Sequence, residues 1–396
     1  MDLWSKSPAA MRRLLAAGIG LMTCAPLIVG SAGPALGAPG GTVEHWGVLA
    51  GGGGRSLSPV KVSVPGTVAE VGTSNSTQYA LLTDGSVYAW GVGTGGELGN
   101  GSRQNSLTTA VRVQFPAGVT IAFLATDDMP FDTAFAVDTT GHAWGWGANA
   151  GGELCLGNTN VYTRPVKLPF SGVTTLAGAA NHATYAAGGA VYSCGKNRDG
   201  ALGTGNMRAA RHPVRVKGLN GHLVTAVVSA LGNTGALMSD GTYYDWGYNG
   251  GGQLGIGTVS PPSTVPVRVQ LPAAATQVVV GGNGPNDDHT LVKLSNGSLY
   301  AWGANGAYQL GLGTKVGKSS PTRFSPPAGV TYRTLATGGI ASYAISTTGD
   351  VYAWGGNKNG QLGDGTTQRS PKPIRVTTGA TLISSTSNNA AVAIGG

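Results

Sequence analysis

Charge is scarce in this 396-residue chain: Asp, Glu, Lys and Arg supply only 11% of it, less than half the usual share. Such sparse charge, with Trp, Val and Tyr recurring throughout, excludes a disordered polymer. No Lys/Arg-rich run occurs beyond the first residues. The net +8, which falls to about +6 without the first 37 residues, is therefore no nucleic-acid patch. Cysteine occurs three times, and only Cys155 and Cys194 lie outside the amino-terminal segment. Beyond Val29 no apolar run is long enough to cross a bilayer. A Gly-x-Ser-x-Gly nucleophile elbow and an HExxH pair are also missing. What abounds is turn chemistry, with 68 Gly and 21 Pro making up more than a fifth of the chain. Each interior Gly costs a helix about 1 kcal/mol relative to Ala, so long helices are excluded. The glycines lack a three-residue period, which excludes collagen. A turn-rich, all-β globular protein remains.

Residues 1–37 are set apart as an export leader. Lys6, Arg12 and Arg13 form a basic start, Leu14 to Val29 is a short apolar stretch broken by Pro26, and small residues crowd the segment after it. Arg12-Arg13 leaves the twin-arginine route open beside the general one. The mature chain, 38–396, is expected to be one secreted or surface-associated domain without a membrane span.

Self-similarity then dominates. The strand ending Val87-Tyr88-Ala89-Trp90-Gly91 returns at Trp46, Trp146, Cys194, Trp246, Trp302 and Trp354, at separations of 44 to 56 residues. Six of the seven copies run into a glycine loop such as Gly251-Gly252-Gln253-Leu254-Gly255. Each unit resolves into four short strands. First comes a Pro-Val-basic segment, next a run such as Val68 to Val71, next a third strand such as His289 to Leu294, and last the Trp strand. Asp84-Gly85, Asp240-Gly241 and Asn296-Gly297 join the third strand to the fourth as tight hairpins. Four antiparallel strands seven times over predict a seven-bladed β-propeller, with Trp46, Trp90, Trp146, Trp246, Trp302 and Trp354 as structural blade residues. The segment from Asn389 to Ile394 is a third strand lacking a fourth, and Thr42 to Trp46 is a fourth lacking a third. Their pairing would close the ring.

The pattern Gly-x-Val-Tyr-Ala-Trp-Gly-x-Asn-x-x-Gly-Gln-Leu-Gly-x-Gly at Gly349 to Gly365 resembles the repeat of the regulator of chromosome condensation family. The resemblance spans about 42–396 and implies a seven-bladed propeller. The family's founding member is a guanine-nucleotide exchange factor on chromatin. That activity is not expected here, because no wedge-like hairpin insertion is found and the leader removes the chain from cytosolic GTPases.

Other motifs have plain readings. Gly91-x-Gly93-x-x-Gly96 matches a dinucleotide fingerprint without the required βαβ unit and is the repeat's loop. The six histidines (His45, His142, His182, His212, His222 and His289) show no metal-ligand spacing, so no metal and no cofactor are expected. His182 and His289 begin third strands, where a ring nitrogen can satisfy a carbonyl. Cys194 takes the Trp position of its repeat and Cys155 sits in the preceding glycine loop. An even count in an exported chain favours a disulfide, though sequence gives no distance.

Two features point to function. Lys61, Arg112, Lys167, Arg215, Arg268, Arg323 and Arg375 share one first-strand position in all seven units. They read as charged edges that block aggregation or, more sharply, as an anion-binding rim. Two second-to-third loops are enlarged and acidic, one carrying Asp127, Asp128, Met129, Phe131 and Asp132 and the other Asp287 and Asp288. Loops on a rigid scaffold commonly carry binding residues. The expectation is a monomeric, non-enzymatic propeller that binds an unidentified protein through one loop face. The alternative is a cell-wall glycan held by Tyr162, Tyr248 and Tyr308. An enzyme with an axial site, or an exchange factor, ranks below both.

Overall fold

The structure is a computed structural model that describes residues 42–48, 54–74, 76–125, 132–219, 221–282, 284–385 and 391–395, with Thr42 and 391–395 described by their backbone alone. The leader segment, 1–37, lies outside the described residues. Among those residues 28 strands form seven four-stranded antiparallel sheets, and there is no helix. The fold is an all-β propeller. Six sheets are continuous stretches of chain, at 68–112, 121–167, 173–215, 224–269, 275–324 and 332–377, numbered here first to sixth. The remaining sheet joins both ends, in the order Arg55–Val62, Thr42–Val48, Ala391–Gly395, Ala380–Ser385. Its central pairing runs from Thr42 opposite Gly395 to Trp46 opposite Ala391.

Sheet and repeat unit are out of step by one strand. The basic segment that opens each repeat unit pairs with the Trp strand of the unit before it, as Arg112 does with Tyr88. The glycine loop therefore lies inside a sheet, between its third and outermost strands. In six of the seven outermost strands a proline suits the position, because a segment that cannot donate a full ladder of N–H groups is tolerated only at an edge. Ser106–Arg112 takes the same place without one.

The first strand of each sheet lines the axis, and neighbouring sheets meet there. Leu124 N–H donates to Glu70 at 3.1 Å, Val227 N–H to Thr175 at 3.2 Å and Leu335 N–H to Gln277 at 3.0 Å. Hydroxyls continue the circuit: Thr337 donates to Val280 O at 2.6 Å and Thr73 to Ser385 O at 2.8 Å. Farther out, five of the six blade Trp residues fasten two sheets. Trp146, Trp246, Trp302, Trp354 and Trp46 donate Nε1–H, at 2.7–2.9 Å, to the carbonyls of Glu97, Ala201, Gln253, Gln309 and Gln361 in the preceding glycine loop. All six Trp side chains are fully buried, as expected of blade residues. The loop must come very close to the indole. A Cβ on Gly255 (φ 65°) would stand 2.6 Å from Trp302 Nε1, so only glycine fits.

In the third sheet Trp is replaced by Cys194, and the glycine facing it is replaced by Cys155, at φ 59°. The two sulfurs form a disulfide with Cα atoms 5.5 Å apart. Cys194 Sγ also lies 3.3 Å from Glu153 O, the carbonyl that an indole would have reached. The disulfide replaces the indole–glycine contact as the tie between these sheets.

Candidate partner-binding face

Alternating strand directions send the glycine loops and the axis-side loops to one face, and the tight hairpins to the other. Five of the six glycine loops are held by an asparagine just past the Trp strand, or past the Cys194 strand that replaces it. Asn149, Asn197, Asn249, Asn305 and Asn357 accept from the N–H of Leu154, Leu202, Leu254, Leu310 and Leu362 at 2.9–3.1 Å. Their amides donate across the loop, as Asn197 does to Asn206 O at 2.8 Å and Arg208 O at 3.1 Å, and Asn305 to Val316 O at 3.1 Å.

On these fixed backbones stand exposed apolar side chains. Val161, Met207, Val259 and Val316 occupy near-equivalent loop positions in the second to fifth sheets, and Val259 and Val316 are 62% and 63% exposed. They form an apolar arc along the outer margin of this face. Sequence reasoning missed it, although Met207 and Val259 lie 13 residues past Cys194 and Trp246 respectively.

The loop between the first and second strands spans 125–132 in the second sheet and 282–288 in the fifth, against three residues in the third, fourth and sixth. Asp127, Asp128, Met129 and Phe131 lie outside the described residues. Asp132 stands at φ 55° beside the first glycine loop, where a Cβ on Gly95 would be 3.2 Å from its own Cβ. Asp287 is half-buried. Asp288 corrects the expectation of a surface contact, being only 2% exposed and accepting Gly232 N–H at 3.0 Å. It organises a turn of the adjacent sheet.

Buried carboxyls collect under this face. Burial pushes Glu97 up to about 7, and the charge of Asp132 adds to the shift. Glu153 is raised by burial too. Asp245, which accepts from Tyr243 Oη at 3.1 Å, is pushed by burial up to about 8. Burial, then the charges of Asp245, Asp287 and Asp199, raise Asp288 well above the carboxylate range. Glu97 stands where three other loops carry Gln253, Gln309 and Gln361. Gln253 Nε2–H donates to Pro285 O of the next sheet at 2.6 Å. A protonated Glu97 offers an O–H donor in place of that amide N–H; an ionised one offers none.

A pH dependence follows. The folded protein keeps a proton on Glu97 between pH 4.5 and about 7 that the unfolded chain releases, so stability falls as pH rises through that window. The loss amounts to up to about 3 kcal/mol. Glu97→Gln is expected to match the wild-type melting temperature near pH 4.5 and exceed it by a widening margin up to pH 8. Parallel melting curves across the window would refute this.

The histidines form no cluster: among the described residues no three His, Cys, Asp or Glu side chains could hold a metal ion. His289 Nδ1 lies 3.4 Å from Asp287 O, the kind of carbonyl contact the sequence suggested, while the Nε2 atoms of His182 and His289 serve another purpose. They reach hydroxyls of the next sheet, Thr234 at 2.9 Å and Ser342 at 3.0 Å. Those hydroxyls already donate to Ala201 O and Gln309 O, so each ring donates from Nε2. Burial lowers both imidazoles to about 4, leaving them neutral.

The seven basic residues are all exposed on outermost strands. A uniform anion rim does not result. Arg375 pairs with Asp350 at 2.7 Å, and Lys61 lies opposite Glu44 in the ladder. Arg112 and Arg268 share clefts with the hairpin residues Asp84 and Asp240. Tyr248 and Tyr308 sit half-buried in the glycine loops and Tyr162 half-buried at the start of an outermost strand, with Lys315 Nζ 5.3 Å from the centre of the Tyr308 ring.

Comparison with known proteins agrees with this architecture. The Regulator of chromosome condensation (RCC1) repeat matches residues 84–122, 188–237, 240–284, 296–345 and 348–394. The chain is 30% identical over 347 residues to the E3 ubiquitin-protein ligase HERC2 of Homo sapiens, a stretch covering 84% of this chain and 7% of that protein. It is 30% identical over 283 residues to the ultraviolet-B receptor UVR8 of Arabidopsis thaliana, covering 70% of this chain and 62% of that one. It thus spans less than two thirds of either relative. Prp20p from Saccharomyces cerevisiae superposes with a TM-score of 0.77 at 20% identity, covering 93% of both chains. Human WBSCR16 does so with a TM-score of 0.77 at 19% identity, covering 90% of this chain and 98% of that one. With repeat matches over more than half its length, the chain belongs to the regulator of chromosome condensation repeat family.

Proposed function

We propose that the protein is an exported, non-enzymatic propeller, monomeric by itself, that binds a protein partner through its glycine-loop face. The carrying observation is the arc of Val161, Met207, Val259 and Val316: apolar side chains held out to solvent on backbones already fixed by the asparagine bridges. Exposed apolar groups on a pre-organised surface favour association, because little ordering entropy is lost on docking. The fold has precedents for protein binding in Prp20p, with its binding properties to Gsp1p and histones, and in yeast RCC1 (Prp20) bound to Kap60. Export is supported by the leader and by the disulfide, which suits an oxidising compartment.

The test uses immobilised mature chain to capture partners from the native secretions, beside a Val259→Glu, Val316→Glu variant. Capture should fall about ten-fold or more, with melting temperature little changed, as for anchors near an interface centre. Undiminished capture by the variant would remove the arc from the interface. A glycan-binding reading has one observation in its favour. Tyr308 holds the strained φ of 72° at a loop position where the other glycine loops place glycine. Loss of glycan-array binding on Tyr308→Gly would favour that reading.

A further inference from the structure

We propose that the cleft on the outer rim between the fifth and sixth sheets is a second docking site, for an acidic peptide segment bearing apolar side chains. It encloses about 500 Å³ and is lined by Leu312, Arg323, Phe324, Pro326, Pro327, Lys372 and their neighbours. Its two cations come from different sheets, Arg323 from Lys318–Phe324 and Lys372 from Ser370–Thr377.

What distinguishes this cleft is the absence of acid. A larger cleft, about 770 Å³, has the same construction around Arg112 and Arg164, but Asp84 lines it. Asp240 lines the cleft of Arg268, and Arg375 is ion-paired to Asp350. In the fifth sheet the corresponding hairpin residue is Asn296, and no carboxylate lines the cleft. Among the described residues neither Arg323 nor Lys372 has an ion-pair partner. Two uncompensated cations over an apolar floor are complementary to carboxylates carried on a chain with apolar side chains. A sulfated or phosphorylated polymer would match the charge and leave Leu312, Pro326 and Pro327 uncovered. Prolines at the lip cannot donate N–H groups, so the segment is read through its side chains rather than as an added strand.

The probe is a fluorescein-labelled octapeptide of alternating Glu and Leu, followed by anisotropy with the mature chain. The alternating peptide should bind, and a Gln/Leu peptide and an all-Glu peptide should bind at least about ten-fold more weakly. Arg323→Gln with Lys372→Gln should weaken binding about ten-fold at an unchanged melting temperature. Asn296→Asp, which restores the acid found in the sister clefts, should weaken it about three-fold. Arg215→Gln, on the third sheet, should leave it unaltered, as should Val161→Glu with Met207→Glu, two arc residues on the second and third sheets, which separates this site from the apolar arc. No binding by the wild type, or binding indifferent to Arg323 and Lys372, overturns the proposal. Heparin or the all-Glu peptide binding as tightly through the same two residues also overturns it, in favour of a general polyanion site.

Discussion

Deletion of residues 391–396 from the mature chain is expected to destabilise the whole molecule, not merely to fray one end. The strand Ala391–Gly395 pairs on one side with Ala380–Ser385 and on the other with Thr42–Trp46. Without it the amino-terminal pair of strands loses its ladder to the rest of the ring. Trp46, fully buried and bonded to Gln361 O at 2.8 Å, then loses the ladder that holds its strand in position. Freeing one such indole costs about 3–5 kcal/mol, a large part of the 5–15 kcal/mol or so that a folded domain has in total. Calorimetry of the truncated chain should show a large fall in melting temperature and a broadened transition. A transition matching that of the intact mature chain would mean that the terminal pairing does not close the ring.

The second large effect concerns the disulfide. Cys155 and Cys194 close a loop of 39 residues, and loop-closure entropy assigns such a bridge about 4 kcal/mol. Cys194→Ser, or reduction of the wild type, should therefore lower the melting temperature strongly. The architecture adds a sharper expectation. Because the five glycine–indole ties occupy the same two positions, Cys155→Gly with Cys194→Trp should recover much of the loss. If the double variant melts no higher than Cys194→Ser, the cystine is not a substitute for the indole tie.

The ring was legible in the sequence because its signals repeat. Hairpin dipeptides, Trp strands and glycine loops recur in register, and each recurrence checks the others. The cysteine pair was half legible, since both residues stood in telling repeat positions but no spacing in sequence reports a distance across two sheets. Proline marked six of the seven basic strands as edges, while the frame shift between unit and sheet stayed hidden until the pairing partners were known.

The site was harder to read. Asp288 looked like an acidic loop tip, yet it is buried, because Gly232 of the neighbouring sheet supplies an N–H that only the assembled ring brings near. The seven basic residues looked equivalent and differ in their surroundings, which depend on whether a hairpin or the facing strand provides an acid. Asp245 shows the same dependence on context. It stands where four other Trp strands carry Ala or Gly and accepts from Tyr243, whose ring fills the space beside Gly235, where a Cβ would clash with the phenol. Burial of this kind is a property of neighbours, and no local pattern announces it.

A protein partner is proposed to dock on the glycine-loop face over the apolar arc. Amide hydrogen exchange of the mature chain with its captured partner tests this most directly. Slowed exchange should concentrate in the loops at 156–161, 204–209, 256–262 and 312–317, with the hairpins at Asp84, Asp240 and Asn296 on the opposite face unaltered. Protection confined to those hairpins, with the four loops exchanging as in the free protein, would contradict it.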